Sequence, residues 1–175
     1  MIEVTLTEED ERLADDAAQK RNQSQRQAGR KDGKVVEDSI GIDRQGARAE
    51  LAISKAFDIP WDGKFFDIER WFNWRNEGHD VSGLEVRSTH HPRGALILHP
   101  KDKDYSPFLL VLTHKRPTYV IAGWCYGYEG KQQKWWRDVG YGRPCFYAPQ
   151  QYLRDIEELK EKISTQRSNN ESDSI

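Results

Sequence analysis

Two acidic residues flank a short turn in the middle of the chain, with Asp80 before Ser82 and Gly83 and Glu85 after them. If Ser82 and Gly83 form the two-residue turn of a β-hairpin, Val81 pairs with Leu84 and Asp80 pairs with Glu85. Opposed residues have Cβ atoms about 4.5–5.5 Å apart, where like charges repel unless a positive charge lies between them. A divalent cation meets that need, because Mg²⁺ binds one or two carboxylates and completes its shell with water and substrate phosphate.

The strand after this turn has two faces of different character, because alternate side chains of a β-strand share a face. Leu84 and Val86 turn toward a core. The opposite face presents four polar side chains, which are Glu85, Arg87, Thr89 and His91. An acid and a guanidinium two residues apart are placed to meet one substrate.

The order of these residues resembles the PD-(D/E)XK nuclease superfamily, which has the restriction-endonuclease-like and RecB-like fold. In that superfamily an Asp ends one strand and a Glu-x-Lys motif lies on the next, as Asp80 and the run from Glu85 to Arg87 do here. A preceding helix often supplies another Glu, and Glu50 is the matching residue. The resemblance covers residues 41–163, about seven-tenths of the chain. The chain as a whole is similar to a small phage or prokaryotic member of the superfamily.

The resemblance implies a metal-dependent nuclease that hydrolyses phosphodiester bonds, in DNA rather than RNA. The implied catalytic residues are Asp80, Glu85 and Arg87, and the implied ligands of Mg²⁺ or Mn²⁺ are Glu50, Asp80, Glu85 and the backbone carbonyl of Val86. Five further residues are predicted to contact nucleic acid, namely Arg48, Thr89, His91, Arg93 and Arg137. A homodimer would suit paired cuts in a duplex, although nothing in the sequence requires one.

Two positions depart from the superfamily's pattern. His79 stands where Pro is frequent, and Arg87 replaces the Lys that is taken to orient the attacking water and to stabilise the phosphate. Arg stabilises that charge but stays protonated, so activation of the water would fall to a bound metal. The alternative is a catalytically inactive nuclease fold that binds nucleic acid or has a regulatory role. Arg87 favours this alternative, whereas the presence of three carboxylates favours the enzyme.

Charge is unevenly distributed along the chain. The 27 basic and 29 acidic residues give a net charge of −2, which excludes a global positive field. Residues 85–143, however, hold ten basic and five acidic residues, which predicts a local basic surface. Four aromatic residues lie among these cations and either stack on the bases of a single strand or pack in the core. They are Trp135, Trp136, Tyr141 and Tyr147. A Trp-rich assembly surface is a third interpretation.

The length, the termini and the cysteines restrict the class of protein. A chain of 175 residues corresponds to about one domain. An acidic N-terminus and the lack of a long apolar run predict a cytoplasmic protein without a signal peptide and without membrane contact. Cys125 and Cys145 are too few for a disulfide scaffold and are predicted to be buried thiols. His79, His90 and His91 lack the spacing of a zinc site.

Hydrophobic periodicity predicts the elements that must position these residues. A capping box at residues 7–10 starts a short helix, and a basic segment at 19–34 is either a linker or an arm on a phosphate backbone. A helix covers 41–57 and is ended by Pro60. Strands of one sheet are predicted at 84–89, 95–99, 108–113 and 118–126, with a turn at 115–117 and one further strand at 144–147.

A last helix is predicted to open at Pro149 with an apolar stripe that reaches Ile163. The predicted fold class is therefore α/β, a restriction-endonuclease-like core with a mixed β-sheet flanked by α-helices. The predicted organisation is an N-terminal helix and basic linker at 1–34, a nuclease-like domain at 35–163 and a disordered polar tail at 164–175.

Overall fold

The computed structural model of the protein describes residues 1–27, 39–61, 63, 83–138 and 142–172. Short 3₁₀ turns at Gln133–Trp135 and Gln150–Tyr152 accompany the regular elements. The strands are β1 (Ile2–Thr5), β2 (Glu85–Thr89), β3 (Leu96–Leu98), β4 (Pro107–Lys115), β5 (Thr118–Tyr126), β6 (Trp136–Arg137) and β7 (Cys145–Ala148). The helices are α1 (Glu8–Gln27), α2 (Ser39–Phe57), α3 (Gly127–Gly130) and α4 (Ile156–Ser172).

The described strands form two sheets. One has the order β1-β5-β4-β2, in which β2 and β4 are parallel and the other pairs antiparallel, so the predicted mixed α/β architecture is confirmed. The prediction that residues 95–99 join this sheet is wrong, because β3 belongs to a second, antiparallel sheet with the order β3-β7-β6. The turn after β2, closed by a hydrogen bond from the Gly94 amide to the His91 carbonyl, leads the chain away from the first sheet.

The molecule is layered, with the first sheet between the helices and the second sheet. Leu109 and Val111 of β4 pack in a core shared with α1, α2 and α4. Phe108, Leu110 and Leu112 alternate with them and pack against the second sheet. Because β4 is covered on both faces, its sequence is a continuous apolar run rather than an alternating one. The layers leave β2 at the edge of the first sheet within the described part of the chain.

The capping box predicted at the start of α1 is confirmed. The Thr7 amide donates to Asp10 Oδ2 at 2.8 Å, and the Asp10 amide donates to Thr7 Oγ1 at 3.1 Å. The helix extends to Gln27, so the prediction of a linker from Gln19 is wrong as far as Gln27. Polar residues of this stretch are held by side chains of α2 instead of by apolar contacts, since Asn22 Nδ2 donates to Asp43 Oδ2 at 2.8 Å. The predicted boundary after residue 34 lies outside the described residues.

The predicted helix at 41–57 and the turn at 115–117 are both confirmed. Helix α2 ends at Phe57 and is followed by Asp58 with a φ of 50°. Strands β4 and β5 are the antiparallel pair that the turn predicted, and the Arg116–Pro117 peptide is cis. Both cysteines are buried and free, as predicted.

The C-terminal region agrees with the prediction in part. Strand β7 confirms the strand predicted at 144–147. The last helix begins at Ile156 rather than at Pro149, because Arg154 makes two backbone hydrogen bonds to Trp124 of β5, at 2.7 and 3.2 Å. Helix α4 continues to Ser172, where the sequence predicted a disordered tail from 164. Among the described residues, no helix combines the length and the apolar composition of a membrane span.

A partly buried carboxylate joins α1 to the turn between β4 and β5. Glu11 accepts from Arg116 Nε and Nη2 at 2.8 and 2.9 Å and from the Tyr119 hydroxyl at 2.8 Å. The hydrogen bonds from Arg116 lower the pKa of Glu11 below its usual 4.5, against the opposing effect of burial. A carboxylate with a lowered pKa in the folded state stabilises the protein above pH 4.5 and loses that contribution as pH falls through the folded pKa.

We therefore expect Glu11→Gln to lower the free energy of unfolding by about 1 kcal/mol at pH 7 and by less as the pH falls below 4.5. Urea unfolding of both proteins between pH 3 and 7 measures this difference. A difference that stays constant or grows on acidification would contradict the assignment of the pair.

Candidate functional site

Strand β2 presents Glu85 and Arg87 on the face turned away from the helices. Leu84 and Val86 are buried in the helix-side core, as predicted from strand alternation. Ser88 lies on the same face as Leu84 and Val86, because its Oγ accepts a hydrogen bond at 3.1 Å from Gln45 Nε2 of α2. The other face points toward the second sheet and its connections.

The guanidinium of Arg87 lies between two carboxylates. Its Nη2 atom is 3.3 Å from both carboxylate oxygens of Asp102, and its Nη1 atom is 3.6 Å from Glu85 Oε2. Nη1 also donates to the carbonyl of Val86 at 3.2 Å, and the group lies 5.2 Å from the ring centre of Phe108. Arg87 thus occupies the space between the two acids and uses the Val86 carbonyl that the resemblance assigns to a metal.

Asp102 is the residue of this cluster that sequence reasoning missed. It lies in the connection between β3 and β4, where the amide of His99 donates to Asp102 Oδ2 at 2.8 Å and the amide of Asp102 donates to the His99 carbonyl at 3.0 Å. Lys131 Nζ donates to the Asp102 carbonyl at 2.7 Å. The only signal in the sequence was an Asp in a turn-forming stretch, which does not reveal that the turn ends beside β2.

The electrostatics of the cluster disfavour the ionised form of Glu85. The side chain is 14% exposed, and its burial raises the pKa above the usual 4.5. The charge of Arg87 opposes this shift, and the charge of Asp102 adds to it. Two partly buried carboxylates that share one guanidinium form a site in which added positive charge is stabilising.

An open cleft of about 450 Å³ lies at the start of β2 and β4. It is lined by Gly83, Lys103, Asp104, Tyr105, Ser106 and Pro107. Lys103 is exposed and close enough for its charge to lower the pKa of Glu85. The cleft therefore combines a solvent-accessible ammonium and polar groups beside the carboxylate cluster.

The wall of this cleft rests on Gly127 at the start of α3. A Cβ atom at this position would lie 2.2 Å from the carbonyl oxygen of Lys103 and 3.1 Å from Cα of Asp104. The amide of Tyr128 donates to the Asp104 carbonyl at 2.9 Å. The close approach of two backbones thus fixes the segment that carries Lys103.

We expect Gly127→Ala to lower the free energy of unfolding by about 1–3 kcal/mol, because backbone atoms have to move to admit the methyl group. The matched control is Gly46→Ala, since a Cβ there meets no atom within 4 Å and alanine favours the α2 helix by up to about 1 kcal/mol. Thermal unfolding measures both changes. Equal stability of the two variants would contradict the tight contact.

Glu50 and Arg48 lie in the helix layer, on the other side of β2 from Glu85. Glu50 is 7% exposed and accepts two hydrogen bonds from Arg21 of α1, at 2.8 and 2.6 Å, and one from Trp61 Nε1 at 3.1 Å. Arg48 Nη2 donates to Asp15 Oδ2 at 2.6 Å. The structure therefore places both residues in ion pairs between α1 and α2 and not beside Glu85. Asp80, with His79, Val81 and Ser82 of the predicted hairpin, lies outside the described residues.

The remaining predicted contacts lie at the other end of β2 and after it, with Thr89 as the last residue of the strand and His91 and Arg93 in the turn that follows. The amide of His91 donates to Thr89 Oγ1 at 3.2 Å, and the amide of Arg93 donates to His91 Nδ1 at 3.1 Å. Arg93 and Arg137 line one groove of about 360 Å³, together with Ala95, Tyr147, Pro149, Gln150 and Gln151. The structure thus brings together two predicted nucleic-acid contacts that are far apart in the sequence.

The tryptophans predicted to stack on bases or to pack in the core contact other aromatic rings. The ring of Trp135 is 5.3 Å from that of Tyr152, and the ring of Trp136 is 4.7 Å from that of Phe146. Trp135 and Phe146 pack against the core between the sheets. These contacts match the core alternative, while Tyr141 lies outside the described residues.

Within the described ranges, no three His, Cys, Asp or Glu side chains are grouped so as to hold a metal ion by themselves. Comparisons of the chain with protein-family models, with curated proteins and with solved structures find no match.

Proposed function

We propose that this chain is a metal-dependent nuclease of PD-(D/E)XK type, with a restriction-endonuclease-like core, that hydrolyses phosphodiester bonds in DNA. The observation that carries the proposal is the Glu85 cluster. A carboxylate 14% exposed, with a pKa raised by burial, shares a guanidinium with Asp102 beside an open cleft that holds Lys103. Perturbed acids at a cleft are typical of catalytic sites.

The proposed ligands fit a hard divalent ion only if Asp80, which lies outside the described part of the chain, is one of them. Glu85, Asp80 and the carbonyl of Val86 would hold Mg²⁺ or Mn²⁺, and Asp102 offers a further carboxylate on the same side. When bound, such an ion lowers the pKa of a coordinated water and offsets charge on phosphate oxygens. The bidentate pair with Arg21 engages both oxygens of Glu50, so Glu50 would join this set only if that pair opened.

The basic residues of the cluster have distinct parts in the proposed reaction. Arg87 stays protonated, and its fork would turn from Asp102 and Glu85 toward a phosphate oxygen once these acids are otherwise neutralised. Lys103 lines the cleft, is exposed and would hold the phosphate of a substrate. Glu85 would orient the group that it binds, because the pairing of β2 with β4 fixes its backbone.

A second candidate function is a nucleic-acid-binding protein on the same fold without catalysis. One observation favours it, since the Arg87 guanidinium lies between Glu85 and Asp102, where a cation would otherwise lie. In this alternative Arg87 neutralises the acids permanently and the cluster is structural.

Cleavage of circular and linear DNA, each single- and double-stranded, in Mg²⁺, Mn²⁺ or EDTA tests the proposal. We expect cutting that requires the metal, and circular substrates distinguish internal cleavage from degradation at ends. DNA that is retarded on a gel but never cut would overturn the nuclease and favour the binding protein.

A further inference from the structure

The groove between Arg93 and Arg137 lies on the outer face of the second sheet. In this sheet Arg137 is opposite Cys145 and Ile97 is opposite Tyr147. Directly opposed residues share a face, and so do residues two apart on one strand. Arg137 and Tyr147 therefore project from the same face, away from Leu96 and Ala148, which pack in the core.

The loop that carries Arg93 is fixed beside this face. Gln150 Nε2 donates to the carbonyls of Pro92 and Gly94, at 3.0 and 2.9 Å. A Cβ at Gly94 would lie 2.4 Å from the Thr89 methyl carbon, so the turn is also packed tightly against the end of β2. The side chain of Gln150, which follows β7, thus holds the backbone on both sides of Arg93.

The groove places two basic side chains, which can bind an anion, next to the aromatic ring of Tyr147. Arg93 and Arg137 are both exposed, and within the described residues neither guanidinium has a carboxylate partner. No acidic side chain is among the described residues that line the groove. Two unneutralised guanidinium groups bind phosphate, and an aromatic ring beside them offers a stacking surface for a base of any sequence.

We propose that this groove binds one nucleotide of single-stranded DNA, with its phosphate on Arg93 and Arg137 and its base on Tyr147. This deepens the proposed function, since it assigns the strand that the nuclease would hold. The groove lies beyond the end of β2 opposite to the cleft, and Glu85 and Thr89 at the two ends are about 13 Å apart at the usual rise per residue. A strand of several nucleotides spans that distance along the edge of the sheet.

Fluorescence anisotropy of a labelled single-stranded oligodeoxynucleotide in EDTA tests the site without cleavage. We expect Arg93→Gln and Arg137→Gln each to weaken binding about tenfold and to reduce the salt dependence by roughly one phosphate contact. The matched control is Arg12→Gln, which removes the same charge from an exposed position of α1 in the helix layer and should change affinity less than about twofold. Groove variants that bind like Arg12→Gln would overturn the site.

The stacking part of the proposal has its own test. Tyr147→Leu should weaken single-strand binding about tenfold, whereas Tyr147→Phe, which keeps the ring, should bind as the wild type. The assignment to a single strand would be overturned if the wild type bound duplex DNA as tightly as single-stranded DNA, or if Tyr147→Leu bound single-stranded DNA as tightly as the wild type. The two proposals fail separately. DNA binding through the groove without any cleavage would overturn the nuclease proposal alone. Cleavage by a protein whose groove variants bind DNA normally would overturn the groove proposal alone.

Discussion

Replacement of Glu85 by Gln is expected to reduce metal-dependent DNA cleavage by about 100-fold or more. Glutamine keeps the shape of the side chain but has no charge to share with a cation. Stabilisation of transition-state charge by a metal amounts to several kcal/mol, and each 1.36 kcal/mol changes a rate tenfold. Single-turnover cleavage in Mn²⁺ by the variant and the wild type measures this loss directly.

The stability of Glu85→Gln separates a functional role from a structural one. Burial raises the pKa of Glu85, so its ionised form lowers stability above pH 4.5, increasingly as pH rises to the folded pKa. The neutral amide removes that cost, while Arg87 keeps its contact with Asp102. We therefore expect the metal-free variant to unfold at pH 7 at the same temperature as the wild type or higher. A lower Tm together with wild-type cleavage would make Glu85 a structural residue.

The matched control for Glu85 is Glu3→Gln. Glu3 lies on β1 at the opposite edge of the described sheet, where it is exposed and pairs with Lys115 Nζ at 2.8 Å. Loss of a surface pair of this kind changes stability by at most about 1 kcal/mol. This variant should cut DNA like the wild type, so a loss common to both variants would point to a general charge effect instead of a site.

Replacement of Glu50 by Gln is expected to cause the largest loss of stability, about 3 kcal/mol. The side chains of Arg21 and Glu50 are 16% and 9% exposed, so the variant removes the negative charge from a largely buried ion pair. Removal of one partner from a buried pair is strongly destabilising, although the pair itself need not stabilise the fold relative to apolar residues. For a protein of this size the change corresponds to roughly 6–12 °C in Tm.

Thermal unfolding followed by circular dichroism measures this change against Glu161→Gln. Glu161 is exposed on α4, and its replacement should alter stability by less than about 0.5 kcal/mol. If Glu50→Gln instead kept its stability and lost metal-dependent cleavage, the pair with Arg21 would be incidental and the ligand role implied by the resemblance would be favoured.

Local patterns in the sequence predicted those elements whose signals lie close together in the chain. The capping residues Thr7 and Asp10 contact each other, and the alternation along β2 places Leu84 and Val86 in the core. The sheet that a strand joins is decided by distant partners. Leu96 is as apolar as the residues of β4, but it pairs with Ala148, and no local pattern identifies that partner.

The same limit applies to the candidate site. Spacing predicts that Glu85 and Arg87 share a face, but Asp102 comes to them only because the connection between β3 and β4 turns back. Glu50 is correctly placed on a helix, yet its partner Arg21 lies in a segment whose composition predicted either a linker or a basic arm. Long-range charge pairs of this kind satisfy buried groups and leave no periodic signal.

Binding of Mn²⁺ to the protein without DNA, followed by electron paramagnetic resonance, tests the central claim most directly. The account predicts that the wild type binds Mn²⁺, that Glu85→Gln loses this binding, and that Glu3→Gln retains it. Equal binding of Mn²⁺ by the wild type and Glu85→Gln, or no binding by either, would contradict the assignment of Glu85 to a divalent metal.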